Sequence, residues 1–376
     1  MYGHEEGNRV LKLIADTINR NLQDGETFSR INSDNFYIFM IYHSDDDILQ
    51  RVISLIQAIE YEVTEFVPVL SFGIYRIIDK NVSIRRMGDL ADIAKRTVKY
   101  GDDSAYAFYN ESMLEEMREE KRIENEMQAA LDTHEFCVFY QPKVSLDGKV
   151  NLTGAEALVR WIKDGTVISP GKFIPLFEKN GAIGKLDEYM FTCVCAQLSQ
   201  WRREGLEIRP VSVNLSRASL CRQGVALAYK RILEGYGLST WMVPLEVTES
   251  AMISDGAVIS VLQEFYRYGF RIEIDDFGKA QSTLPMLKLP FVDTVKLDKS
   301  LIDCIGDRKG EIMLRQVVRL CYELGLYTTA EGVEAEDQVD FLRALDCTDI
   351  QGYFFSPPLP VEKYTEKLRQ QARKRA

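Results

Sequence analysis

GAEALVRW, Gly154 to Trp161, places a carboxylate and a guanidinium inside an otherwise apolar run. Glu156 and Arg160 lie among Ala155, Ala157, Leu158, Val159 and Trp161. A stretch this apolar reads as a buried strand, and buried strands rarely carry charge without a partner. Four downstream runs share the pattern: VSVNLS with Asn214, PLEVTES with Glu246 and Glu249, RIEIDDFG with Asp275 and Asp276, and YTTAEGVE with Glu331 and Glu334. Amphipathic segments of helix length separate them, such as Leu186 to Glu204, Ala257 to Tyr268 and Glu311 to Leu324. Strand alternating with helix, with acids late in the strands, predicts an α/β fold. The form expected is a (β/α)8 TIM-like barrel whose catalytic face gathers carboxylates. Its strands are expected near 136–142, 154–161, 209–214, 243–249, 271–276, 292–298, 327–331 and 349–354.

The chain has 376 residues, enough for a barrel of about 250 residues and a second, smaller domain. A net charge of −11 argues against nucleic acid as a partner, which calls for a basic surface. It leaves room for a small phosphorylated ligand, because divalent cations bridge acidic side chains to phosphate. The seven cysteines form no CxxC pair, so neither structural zinc nor a disulfide framework is expected. No signal peptide is read at Met1 and none is expected, and the sequence given holds no apolar run long enough to span a bilayer. These features together point to the cytoplasm, with the cytoplasmic part of a larger sensor protein as the variant of that expectation.

Residues 1–111 read as the smaller α/β domain. Helices are expected over Gly3 to Leu22, Asp46 to Glu60 and Met87 to Tyr100, and strands over Pro68 to Ile78 and Ala105 to Tyr109. A hairpin over Phe28 to Ile41 turns at Asn32, Ser33 and Asp34. Residues 112–133 include EEMREEKRIENE, too poor in apolar residues for a core helix, and read as a solvated connector. The barrel is expected over 134–370, with a basic tail at 371–376. Trp161, Phe354 and Phe355 read as core aromatics in preference to the alternative of platforms for guanine, and Glu334 as a helix-start residue outside any site.

The second unit resembles the EAL-type cyclic di-GMP phosphodiesterases over its full length. The matching blocks are FYQPKV, EALVRW, FIPLFEKNG, VNLS, LEVTES, DDFG, VDTVKLD, AEGVE and QGYFFSPPLP, in order between Phe139 and Pro360. The first unit resembles a GGDEF-type diguanylate cyclase domain whose signature turn has decayed to INSDNF, residues 31–36. Asn32 and Ser33 stand where glycines would let the turn approach a nucleotide, which argues against cyclase activity. The chain is expected to begin inside that domain, after the family's first strand.

The resemblance implies a hydrolase that opens cyclic di-GMP to linear pGpG using two Mg²⁺ or Mn²⁺ ions. Two metals lower the pKa of water and clamp phosphate oxygens, and hard ions favour oxygen ligands. By the family pattern Glu156, Asn214, Glu246 and Asp275 would ligate one ion, and Asp275, Asp276 and Glu331 the second. Lys296 would hold the water or phosphate, and Glu156, Lys296, Glu331 and Glu249 would form the catalytic set. Gln141, Leu158, Arg160 and Gln351 would bind substrate, Gln351 near Glu331, while Glu249 would anchor the loop after Asp276. A homodimer through the barrel is also implied. The histidines, His4, His43 and His134, lie outside the strand cores, so a histidine-rich or Ser-His-Asp site is not expected. After DDFG the chain departs from the family, reading Lys279, Ala280, Gln281, Ser282 and Thr283. Ala280 replaces a glycine and Lys279 adds a cation beside the acids. A second reading follows, a catalytically silent cyclic di-GMP receptor that keeps the pocket.

Overall fold

The computed structural model describes residues 4–63, 66, 68–98, 105–146, 150–252, 256–279 and 284–375. The chain divides into two compact units, Met1–Lys121 and Arg122–Ala376.

In the first unit α1 (His4–Arg20) leads into a hairpin of β1 (Thr27–Asn32) and β2 (Asn35–Phe39). Next come α2 (Asp45–Glu62), β3 (Ser71–Ile74), α3 (Ile84–Thr97) and β4 (Ala105–Phe108), with β3 and β4 paired in parallel. Three aspartates fill the first turn of α2 and the Ser44 side chain accepts from the Asp47 N–H. Both features stabilise a helix N-terminus. Val10, Ile18, Leu55, Ile59 and Val63 form the core of this unit. The hairpin turns where the sequence places it, with Ser33 at φ 24°. Strand β3 is shorter than expected from the apolar run over 68–78.

α4 (Glu111–Asp132) is one continuous helix. Its second half is not a solvated connector. Ile123, Met127, Ala130 and Leu131 are buried against Phe136, Trp161, Phe173 and Phe177 in a satellite core of the second unit. Their i, i+4, i+7, i+8 spacing makes a stripe that the flanking charges conceal in composition.

The barrel opens with β5 (Phe136–Ser145) and β6 (Asn151–Lys163), an antiparallel pair extended by β7 (Thr166–Ile168). Helices α5 (Pro170–Lys179) and α6 (Ile183–Arg203) lead to β8 (Val211–Asn214). Then α7 (Arg217–Leu220) and α8 (Val225–Gly235) lead to β9 (Leu245–Thr248), and α9 (Glu249–Met252) and α10 (Gly256–Arg267) to β10 (Ile272–Phe277). β11 (Val292–Leu297), α11 (Lys299–Ile302), α12 (Arg308–Glu323) and β12 (Tyr327–Ala330) follow. The last elements are α13 (Glu336–Ala344), β13 (Asp349–Ile350), β14 (Leu359–Pro360) and α14 (Val361–Arg375).

Strands β5, β6, β8, β9, β10, β11, β12 and β13 close into a ring. The eight-stranded barrel expected from the sequence is therefore present, with one departure from a regular (β/α)8 order. β5 runs antiparallel to both its neighbours, β6 and β13. Its link to β6, residues 146–150, is too short for the crossover of a dozen or more residues that a parallel pair needs. α14 continues to Arg375, so the stretch read as a basic tail is mostly helix. Gln371 ties it down by exchanging two hydrogen bonds with the Leu152 backbone.

Strand alternation then sorts the residues. Val211, Val213, Leu245, Val247, Ile272, Ile274, Val295 and Leu297 are buried in the main apolar core. The alternating positions Ser212, Glu246, Glu273 and Lys296 are buried and polar. The interior of this barrel is therefore charged, where barrels of this class are usually filled by branched apolar side chains.

Candidate active site

Lys296 occupies the centre. Its Nζ lies 3.3 Å from Glu156 Oε2, 2.6 Å from Glu246 Oε2, 3.0 Å from Asp275 Oδ1 and 2.7 Å from Glu331 Oε1. The residue is 0% exposed. Burial alone would lower its pKa, but the surrounding carboxylates outweigh that and raise it well above the ordinary lysine value. Strands β6, β9 and β10 and the residue following β12 thus deliver carboxylates to one ammonium carried by β11.

Hydrogen bonds fix the acids. Asn214 Nδ2 donates to Glu156 Oε1 at 3.1 Å, and Gln351 Nε2 donates to Glu156 Oε2 at 2.6 Å. The Gln351 amide also donates to Gln141 Oε1 at 3.1 Å. The Gln351 side chain thus serves Glu156 and Gln141, and its backbone N–H donates to Ala330 O, the residue before Glu331. Gly352 follows because nothing larger fits: a Cβ there would lie 2.1 Å from Val333 O.

Below this layer lies a network the sequence reading missed. Lys143 Nζ donates to Ser212 Oγ (2.8 Å), Glu246 Oε1 (2.9 Å) and Glu273 Oε2 (2.7 Å). A signal existed. Lys143, Ser212 and Glu273 each stand two residues from Gln141, Asn214 and Asp275, on the same strand face.

The electrostatics follow from burial. Burial pushes Glu331 up to about 8 and Glu156 up to about 7, and raises Asp275 and Glu273 as well. Burial would raise Glu246 too, but Lys143 and Lys296 flank it and hold its carboxyl well below the usual range.

A cavity of about 350 Å³ opens over these groups, lined by Gln141, Glu156, Leu158, Asp275, Glu331 and Gln351 among others. Lys299 and Glu334, paired at 3.2 Å, also line it, so Glu334 belongs to the site's rim. Tyr353, 66% exposed, lines it as well.

The remaining sequence candidates lie nearby. Arg160 is half-buried, 5.7 Å from the Phe139 ring centroid, and donates to Val159 O; burial lowers its pKa. Asp276 takes a left-handed φ of 57°, which non-glycine residues seldom adopt outside special sites. Its carboxylate accepts from Lys279 at 3.2 Å, and it is not among the residues lining the cavity. Glu249 is buried at the start of α9, also outside the cavity lining. Ala280 to Thr283, where the chain departs from the family, lie outside the described residues. Trp161 is core, donating to Glu135 from a fully buried ring. Phe355 packs on the main core, but Phe354 is 44% exposed, a correction to its reading as core. The tight turn that bonds Phe355 and Ser356 N–H groups to Gly352 O carries Phe354 to the surface.

The donor set suits hard divalent cations. It consists of oxygens, and Glu156, Glu246, Glu273, Asp275 and Glu331 outnumber the buried ammoniums of Lys143 and Lys296. Gln351 Oε1 is buried without a hydrogen-bond partner beside Glu156. Among the described residues no ready-made cage of His, Cys, Asp or Glu is present, because Lys296 stands between the carboxylates.

Fold and site together define a TIM barrel with a cluster of carboxylates gathered around one lysine at the mouth of its strands. The chain belongs to the EAL domain family, which matches residues 124–358, and a GGDEF domain of the diguanylate cyclase family matches residues 1–103. It is 30% identical over 369 residues to the bifunctional diguanylate cyclase/cyclic di-GMP phosphodiesterase MucR of Pseudomonas aeruginosa, covering 96% of this chain and 54% of that protein. It is also 30% identical over 375 residues to the cyclic di-GMP phosphodiesterase NbdA of the same organism, covering 98% of this chain and 48% of that one. The chain thus spans about half the length of these relatives. A solved structure of the PaMucR phosphodiesterase in complex with c-di-GMP superposes with a TM-score of 0.61 at 32% identity, over 65% of this chain and 99% of that one. Among the described residues no helix is long and apolar enough to cross a membrane.

Proposed function

We propose that the chain hydrolyses cyclic di-GMP to linear pGpG with Mg²⁺ or Mn²⁺ bound at the barrel mouth. The convergence of Glu156, Glu246, Asp275 and Glu331 on one point, in an open cavity with Gln141 and Leu158, carries this reading. The relatives named as phosphodiesterases support it. Glu156, Asn214, Glu246 and Asp275 would hold one ion, and Asp275, Asp276 and Glu331 the second. Bound there, the ions would supply Lewis acidity and a water acidic enough to attack phosphorus near neutral pH.

The chain's own groups do the rest. Gln351 and Asn214 hold both oxygens of Glu156 in place. Lys296 offsets negative charge that builds on the phosphoryl oxygens as the bond breaks. Leu158 offers apolar surface in the cavity, Gln141 a carboxamide, and Arg160 a planar guanidinium suited to phosphate. Glu249 steadies the segment after Asp276. A homodimer through the barrel belongs to the same reading, and light scattering on the purified chain tests it.

One observation favours the silent-receptor reading: the Lys279 ammonium sits on Asp276, a proposed ligand. Incubation with cyclic di-GMP and Mg²⁺ or Mn²⁺, with pGpG followed by chromatography, separates the two. Metal-dependent pGpG formation is expected. Binding of cyclic di-GMP without any pGpG would establish the receptor instead.

A further inference from the structure

Glu246 and Glu273 are directly paired residues on the adjacent parallel strands β9 and β10, and both side chains are buried. Like charges at paired positions of a sheet repel. Among the described contacts, what lies between them is Lys143, reaching across the barrel from β5. Its three ammonium protons are all used, on Ser212, Glu246 and Glu273. Glu246 therefore has one oxygen held from below by Lys143 and the other turned up toward Lys296.

A lysine so close to a metal ligand has an electrostatic drawback. It orients Glu246, but its charge opposes any cation arriving above. Glu273 is placed to cancel that charge. The geometry points to Glu273 as a positioning residue for the metal site: by neutralising Lys143 from the far side, it lets Lys143 orient Glu246 without repelling divalent cations. This inference rests on the phosphodiesterase reading and extends it to a residue that touches neither substrate nor ion.

The test is Mn²⁺ affinity of the purified chain without nucleotide, read from the free-ion signal in electron paramagnetic resonance. Glu273→Gln keeps the shape and leaves Lys143 paired with Glu246, so the fold survives. It is expected to weaken Mn²⁺ binding about tenfold or more, since an uncompensated charge acts strongly in a poorly solvated interior. Lys143→Met in the Glu273→Gln background removes the stranded cation and is expected to restore affinity to within about twofold of the parent, a rescue that loss of packing could not produce. Parental affinity in Glu273→Gln, or a double variant as weak as the single, would overturn the inference while leaving the phosphodiesterase reading intact. A parent chain that binds no Mn²⁺ and makes no pGpG would overturn that reading first, and this inference with it.

Discussion

Replacing Lys296 with methionine removes the one cation that the four mouth carboxylates share. The side chain is fully buried, so solvent screening gives no relief. Breaking a buried ion pair by removing one partner costs about 3–5 kcal/mol. Protonation of Glu156 and Glu331, already pushed to about 7 and 8, absorbs part of the repulsion. We therefore expect a loss near the lower bound, about 3 kcal/mol. For a barrel of this size that lowers the melting temperature by about 6–12 °C in EDTA. The same vacancy leaves the carboxylates facing one another, so Mn²⁺ should stabilise Lys296→Met more than it stabilises the parent. Differential scanning calorimetry with EDTA and with Mn²⁺ measures both quantities, and pGpG formation should be lost in either case. An unchanged melting temperature in EDTA, or equal Mn²⁺ stabilisation of the two proteins, would refute the idea that Lys296 holds the metal-free site together.

Glu156→Ala should reduce pGpG formation by about a hundredfold or more while circular dichroism stays unchanged, since it deletes the acceptor shared by Asn214, Gln351 and Lys296; undiminished turnover would remove Glu156 from the site. The raised carboxyls of Glu156 and Glu331 make the metal-free fold bind protons that the unfolded chain has released. Their contribution is full below the unfolded value of 4.5 and is lost as pH rises through about 7 to 8, so urea midpoints in EDTA should fall from pH 5.5 to 8.5. Glu331→Gln should flatten that slope, and a midpoint that rises with pH would contradict the assignment. Isothermal titration with GTP and Mg²⁺ should show no sub-micromolar binding to the GGDEF domain, because the Arg30 guanidinium donates to Ser33 O and fills the turn between β1 and β2; tight binding would refute this.

Much of the barrel was legible from the sequence alone. The alternation of apolar runs with amphipathic segments located every strand of the ring, since strand and helix periodicity are local properties of the chain. The acids of the site were legible for the same reason: Glu156, Glu246, Asp275 and Glu331 interrupt apolar runs where interruption is costly. The decay of the GGDEF turn was likewise written in INSDNF.

What the tertiary structure decided is which side chains meet. Lys143 and Glu273 are 130 residues apart, and Gln351 and Glu156 are 195 apart. No local pattern states that β5 faces β9 and β10 across the ring, so Lys143 looked like one polar residue in a strand. Strand direction was hidden in the same way, because apolar periodicity is blind to whether β5 runs with or against its neighbours. The apolar stripe of α4 lay under a dense charge pattern until Phe136 and Trp161 were placed beside it. Lys296 carries the lesson furthest. The chain gives its position on a strand, but only closure of the ring brings four carboxylates from four other strands within 3.3 Å of one nitrogen. Charge placement along a strand is local, whereas charge compensation is a property of the closed barrel.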